Sequence, residues 1–511
     1  MRAYWSSQRL GILRIGRRGW LLAAAILLLA AGVMAAVIPN LFPFPDATGL
    51  VSTYNVNGPT NESGLFFQSL GTNGRSCATC HIAGNAMGLS VQHVQERFLR
   101  TAGSDPLFAA VDGANCPGNN SRQASAHSLL LKNGLIRVGI TLPPGTQFAI
   151  QAVVDPYGCA ISTDGTGTTV SVYRRPLPTT NLRFLSTVMF DGRETIQPLS
   201  KDDGSFEPNL VTDLMHQAMD ATNIHAQAVV PLTSAQQQEI VNFEMGLFSA
   251  QVFDYQAGML NDRGAQGAAI NLSAANYYPG INDTLGGDPT GAKFNPTGMT
   301  LFASWANSQA DGYRERQLAE ARRDIAAGEV LFNSRALTIT NVRGLNDNAA
   351  LAGALGVSLP IPAIAGTCTT CHDTPNVGDH SLPLPLDIGT GHDAAQEPDT
   401  AIANALAQMS FPGVPVYEIT GCPNPFAAAG AATAPYVIYT TDPGKGLVTG
   451  QCSDVNRVKG PVLRGLAARA PYFHNGAAKD LNEVLNFYNQ RFQMNLTDTE
   501  KRQLMAFLNA L

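Results

Sequence analysis

The sequence predicts a mainly α chain. Two helical units of similar kind are expected, with a small β-rich insertion in the first and an N-terminal membrane anchor or signal segment ahead of both. Three observations predict this. A Cys-x-x-Cys-His run occurs twice, at Cys77-Ala-Thr-Cys80-His81 and Cys368-Thr-Thr-Cys371-His372. Aromatic stretches stand before both copies, Gly64-Leu-Phe-Phe67 and Gly328-Glu-Val-Leu-Phe332, which reads as duplication of one unit. Helical periodicity and capping patterns recur around both copies but give way to alternating runs over residues 101–180.

In order, Arg2, Arg9, Arg14, Arg17 and Arg18 precede an apolar run from Trp20 to Ile38, with no acid before Asp46. A positive flank followed by an apolar run of about 20 residues fits a bilayer span. Val33-Met34-Ala35 offers a cleavage site, so a signal peptide remains open. Residues 41–62 read as an extended, Pro-containing linker. Residues 90–100 read as a helix with Val91, Val94 and Phe98 on its apolar face. Within 101–180, Gln147-Phe-Ala-Ile-Gln-Ala-Val-Val154 reads as a strand. Helices return at 212–227 and 234–253, the latter opened by a Ser234/Gln237 capping-box pattern. The Gly- and Asn-rich stretch 255–300 reads as a connection, and 308–333 as a long polar helix. Asp480 with Glu483, and Thr497 with Glu500, cap the two closing helices. The implied organisation is a signal or anchor at 1–40, a first unit at 41–254, a linker at 255–307 and a second unit at 308–511.

A Cys-x-x-Cys-His run is the attachment signature of a c-type haem. The two thiols reach the porphyrin vinyl groups and the adjacent histidine binds iron as proximal ligand. A redox pair or half a zinc site is the competing reading. Two copies with His in the same place, in a chain with eight Cys and nine His, favour two haems. The cofactor-binding residues are then Cys77, Cys80, His81, Cys368, Cys371 and His372, with His81 and His372 on iron. The four other cysteines, in an exported chain, suggest by sequence order the disulfides Cys116–Cys159 and Cys422–Cys452; other pairings stay open until distances are known.

The chain has 511 residues, 45% hydrophobic and 14% charged, with 49 Gly and 31 Pro, which fits a compact but loop-rich protein. Without residues 1–40, which carry five Arg and no acid, the formal charge falls from −6 to −11. An acidic body argues against nucleic acid as a partner and is compatible with docking a basic redox protein. No phosphate loop or hydrolase triad is present.

With both motifs placed, Ala470-Pro-Tyr-Phe-His-Asn-Gly476 followed by Leu481-Asn-Glu-Val-Leu-Asn-Phe-Tyr488 resembles the C-terminal signature of bacterial di-haem cytochrome c peroxidases, shared by the related enzyme MauG. Phe190-Asp-Gly-Arg193 resembles their Trp-Asp-Gly-Arg motif, and residues 497–511 resemble their closing helix. The resemblance implies two cytochrome-c-like haem domains. The haem at His81 would do the peroxide chemistry and the haem at His372 would relay electrons. Gln217 matches the family's active-site Gln, while its catalytic Glu would fall on Gln227. An amide cannot accept a proton as a carboxylate does, so His225, two residues away, is the candidate base. Tyr488 matches the axial ligand of the MauG branch, with Met494 as rival, and His93 is a candidate sixth ligand at the first haem. His474 is expected to pack near haem. The resemblance also implies a Ca2+ between the haems, with Arg469, Pro471 and Asn181 as candidate ligands.

The expected function is that of an exported di-haem oxidoreductase, peroxidase-like. The expected partners are haem, peroxide or O2, a small periplasmic donor such as a cytochrome c or cupredoxin, and the inner membrane through residues 20–38. A di-haem oxidase or oxygenase acting on an organic or protein substrate, and a non-catalytic electron carrier, are the alternatives.

Overall fold

A computed structural model describes residues 37–201, 203–310, 312–427 and 436–511. The Arg-flanked apolar run read as an anchor lies outside the described residues, apart from Val37–Ile38, which pairs with Thr60–Asn61 as a short antiparallel ladder. Among the described residues no helix is long and apolar enough to cross a membrane.

The expectation of a mainly α chain is corrected: only 31% is helix and 16% is strand, and among the described residues the strands form five small sheets. Two stretches account for much of the difference. Gly49–Asn55, read as linker, pairs along its length with Leu247–Asp254, read as the end of a helix. The helix stops at Met245 and Gly246 caps it. Leu247–Asp254 then begins with five consecutive buried residues. A strand covered on both faces loses the alternation that marks a half-buried one, so its sequence cannot be told from a buried helical run.

The insertion folds as expected only in part. Ile136–Thr141, Gly167–Arg174 and Ile161–Asp164 form one three-stranded antiparallel sheet. Ala149–Val154 leaves it and joins Val416–Cys422, which pairs in turn with Tyr436–Thr440. The insertion is thus zipped to the second half of the chain. Cys116–Cys159 and Cys422–Cys452 are disulfides, each closed within its own half.

The expected helices appear at Val91–Thr101, Phe206–Ile224, Ser234–Met245, Tyr313–Ser334, Leu481–Arg491 and Asp498–Asn509. The cap of the third is one residue earlier than its pattern suggested, a Thr233/Gln236 box. Asp480 accepts from the Glu483 N–H, and Thr497/Glu500 form a full capping box. Tyr313–Ser334 packs against Asp498–Asn509 with Gly328 at the crossing, where a Cβ would lie 2.0 Å from the Gln503 carbonyl oxygen. Phe302 and Trp305, in the segment 255–307 read as linker, are fully buried in the same core.

One buried ion network ties the parts together. Arg174, at the end of the insertion, pairs with Asp191 of the Phe-Asp-Gly-Arg run and, at 2.6 Å, with Asp442 of the second half. Asp191 also holds Arg193 at 2.9 Å. Removing one partner from such a buried set leaves an uncompensated charge and costs about 3–5 kcal/mol.

Candidate haem clefts

The two Cys-x-x-Cys-His motifs fold alike. Each begins with a short 3-10 turn, Cys77–Thr79 or Cys368–Thr370, closed by a capping box, Ser76/Thr79 or Thr367/Thr370. The turn places both cysteines and the histidine on one wall. His81 Nδ1 faces the Met87 carbonyl at 3.3 Å, and His372 Nδ1 faces the Gly378 carbonyl at 2.6 Å, each acceptor six residues past its histidine. A carbonyl partner fixes the Nδ1–H tautomer and leaves Nε2 with a lone pair for a metal. Burial lowers the His81 pKa to about 4 and shifts His372 down as well, so both rings are neutral. A phenylalanine from the preceding aromatic stretch stands by each ring: Phe66 at 6.3 Å from His81 and Phe332 at 6.1 Å from His372.

The four motif cysteines form no disulfide. Burial pushes Cys77, Cys368 and Cys371 up to about 12 and Cys80 to about 11. None is the acidified thiolate of a redox pair, and none belongs to a metal-ligating cluster among the described residues. Each motif opens instead onto a large apolar-walled cleft, with an empty volume of about 1390 Å³ at His81 and about 1790 Å³ at His372, part of it continuous with solvent. Free thiols, a neutral histidine with Nε2 available and an apolar-walled cleft beside them fit a covalently held haem.

The first cleft is walled by one stripe of the helix Phe206–Ile224: Leu214, Gln217, Ala218, Ala221, Thr222 and then His225 at its C-cap. These positions share a face at helical spacing. Gln217 and His225 therefore stand together in the His81 cleft. His225 Nδ1 is hydrogen-bonded to Asp112 Oδ2, and Asp112 is paired through its other oxygen with Arg75. Burial would raise Asp112, but Arg75 and His225 hold it below the usual carboxylate range. Arg75 is two residues ahead of Cys77 and also donates to the Pro106 and Leu107 carbonyls at 2.8 Å. Gln227 is exposed, in a left-handed conformation, and does not line the cleft. A carboxyl does line it from elsewhere: Glu244, 3% exposed, with Oε2 unpartnered and its pKa raised by burial to about 8. Met87 and His93 do not line this cleft; they line a separate pocket that His81 also borders.

The second cleft holds Tyr488 and Met494 together with Cys368, Cys371 and His372. Burial raises the Tyr488 phenol well above its ordinary range. His474 lines this cleft 3.6 Å from Asp442, with its ring 6.0 Å from Phe190. The two clefts share a wall of residues 176–178, Lys459, Pro461, Val462 and Arg469. Lys459 is buried there, lowered to about 8 by burial against the pull of Asp379. Two of the three residues considered for calcium, Arg469 and Asn181, have hydrogen-bond partners within the chain. The Arg469 carbonyl accepts from the Arg175 guanidinium at 3.1 Å, and the Asn181 amide is paired with Ser249.

Asp112, Arg75 and Lys459 had no signal in the sequence, since their roles depend on contacts across long separations. Glu244 did have one. It falls four residues after Ile240 on the buried face of its helix, where an acid is out of place.

Two such clefts lie side by side, each lined by residues that fit a haem. Over part of its length the chain is similar to known cytochrome-c peroxidases. A 156-residue stretch is 29% identical to the cytochrome-c peroxidase IdrP2 of Denitromonas iodatirespirans, covering 29% of this chain and 36% of that protein. A 155-residue stretch is 28% identical to the cytochrome-c peroxidase IdrP1 of Pseudomonas sp. strain SCT, covering 28% and 36%. The chain thus spans about a third of the length of the curated relatives it matches. No family model and no solved structure matches it.

Proposed function

We propose that this chain is an exported di-haem c-type oxidoreductase that reduces peroxide in the His81 cleft, with electrons delivered through the His372 cleft. The observation that carries the reading is the repetition of one histidine geometry beside two unpaired cysteines in two adjoining clefts. Cys77 and Cys80 would hold one haem and Cys368 and Cys371 the other, with His81 and His372 as proximal ligands. When bound, haem iron supplies the peroxide-binding position and passes on electrons. The residues supply the rest. Reducing peroxide to two waters takes two electrons and two protons, and one proton must move from the near oxygen to the leaving one. His225 is suited to carry it, since Asp112 holds Nδ1 and leaves Nε2 for the cleft. Gln217 would orient peroxide by hydrogen bonding. Tyr488, with Met494 as rival, would fill the sixth position at the second haem. Arg175 would provide the positive charge on the Arg469 carbonyl where the family resemblance implied calcium.

The two disulfides support placement outside the cytoplasm, in the periplasm. There a small donor such as a cytochrome c or cupredoxin would deliver electrons. A second reading, oxidase or oxygenase action on an organic or protein substrate, is supported by Gln227, an amide where the family resemblance places its catalytic carboxylate.

The intact mass of the denatured, matured protein tests the haem count. Two haems above the polypeptide are expected, one being lost in each double Cys-to-Ala variant. Turnover of peroxide with a reduced cytochrome c then tests the activity. Fewer than two haems ends the proposal. Two haems with turnover on O2 and an organic substrate, but none on peroxide, transfers it to the second reading.

A further inference from the structure

Three buried groups beside the second motif are unused by the haem reading. One ligand atom from each of Asp283, Asp373 and His380 lies within 4.8 Å of the others. His380 Nε2 is 3.3 Å from Asp373 Oδ2 and 3.9 Å from Asp283 Oδ1. The three residues are 1%, 2% and 4% exposed, in the same order. We propose that they bind one divalent first-row transition ion, with zinc as the representative.

The argument rests on which atoms are already engaged. Asp283 Oδ2 accepts the Leu285 and Gly287 N–H groups at 3.1 and 2.6 Å. Asp373 Oδ1 accepts the Ser381 N–H at 2.7 Å. His380 Nδ1 lies 3.1 Å from the Leu382 carbonyl and 3.3 Å from the Leu382 nitrogen; in the shorter contact Nδ1–H donates to the carbonyl, which leaves a lone pair on Nε2. The outward atom of each side chain is thereby fixed by backbone, and the inward atoms converge. Of these, Asp283 Oδ1 and His380 Nε2 have no hydrogen-bond partner. Asp373 Oδ2 has only a long contact, 3.4 Å, from the Thr284 N–H.

Three acceptors turned toward one another in a buried site repel; a cation among them converts the repulsion to attraction. One imidazole nitrogen with two carboxylate oxygens suits zinc and its neighbours better than the all-oxygen sets of calcium and magnesium. Zinc bonds of about 2.0–2.2 Å put tetrahedral ligands roughly 3.3–3.5 Å apart, so the two His380 spacings, 3.3 and 3.9 Å, need only a small closure. Backbone partners on the opposite atoms are the outer-shell arrangement that orients metal ligands. Asp283 comes from the Gly- and Asn-rich stretch, whereas Asp373 and His380 follow Cys371-His372. The ion would clamp that stretch to the second motif, beside the direct bonds Gly280 N–H to Ser381 O and Asn282 Nδ2 to Asp373 O, both 3.0 Å.

The test uses matured full-length protein, stripped with a chelator and titrated with zinc. Non-haem metal is counted by mass spectrometry, with haem iron measured separately. One zinc per chain is expected, with a rise in Tm on binding. Asp283→Asn and His380→Gln should each weaken zinc binding by more than the roughly 10–100-fold that loss of an outer-shell partner costs. If the stripped wild type takes up no zinc, His380 instead carries a proton between the carboxylates and the proposal is overturned. Undiminished zinc in Asp283→Asn overturns it equally, because the ion then sits elsewhere. Wild-type titration decides even where a variant fails to fold, and neither result depends on peroxide activity.

Discussion

Replacing His225 by alanine and Asp112 by asparagine separates the chemical role of this pair from its structural one. The His225 side chain is 32% exposed and gives up one hydrogen bond to a charged partner. That costs about 1.5–3 kcal/mol. The Asp112 and Arg75 side chains are each 4% exposed, so Asp112→Asn strands a buried guanidinium. Breaking a buried pair from one side costs about 3–5 kcal/mol. The carbonyls of Pro106 and Leu107 still accept from Arg75 and keep the loss toward the lower end. For a chain of 511 residues that unfolds as one unit, an entropy of about 2.1 cal/mol/K per residue makes 1 kcal/mol worth about 1 °C, so Tm should fall by roughly 1.5–3 °C in His225→Ala and roughly 3–5 °C in Asp112→Asn. The rate with peroxide should behave differently. Losing an acid–base group costs roughly 10²–10⁴-fold, and both variants should show it, since Asn cannot hold the imidazole tautomer as a carboxylate does. Stopped-flow mixing with peroxide, alongside haem content and thermal melts, reads all three quantities. If His225→Ala keeps both haems and reacts as fast as wild type, the imidazole is not the proton carrier and the reasoning fails.

Three further outcomes are expected. Tyr488→Phe should change the spin state or ligand signature of the second haem by EPR; an unchanged spectrum, with the low-spin signal lost in Met494→Ala, assigns the ligand to Met494. Reducing Cys116–Cys159 and Cys422–Cys452, separated by 43 and 30 residues, should cost about 4 and about 3.6 kcal/mol from loop entropy; denaturant melts of the single-disulfide variants measure this, and two unchanged midpoints would contradict it. Burial raises Glu244 from 4.5 to about 8, so the folded state binds a proton that the unfolded state releases, and stability contributed below pH 4.5 is lost as pH rises through about 8. Glu244→Gln should remove that part of the pH dependence, and identical profiles for variant and wild type between pH 4.5 and 8 would show the carboxyl is not held neutral.

The sequence by itself determined the features that are local. Cys-x-x-Cys-His defines its turn and places its histidine within five residues, and the same turn duly forms at both copies. Helices with a cap and an amphipathic face were legible because both signals lie within a few residues, as at Asp480 and Thr497. The helix carrying Gln217 and His225 was legible too, and one stripe of it lines the first cleft. The rest was decided by contacts between distant segments. Strands 49–55 and 247–254 hide from periodicity because burial on both faces erases their alternation. Strand 149–154 was visible as a strand, but nothing local could say that its partner is 416–422 rather than its neighbours in the insertion. The same holds at the sites. Asp112 meets His225 across 113 residues, and Asp283 meets His380 across 97, so their chemistry exists only once the chain has closed. A carboxylate's role is set by burial and by what faces it. A linear pattern records neither, and the fold supplies both.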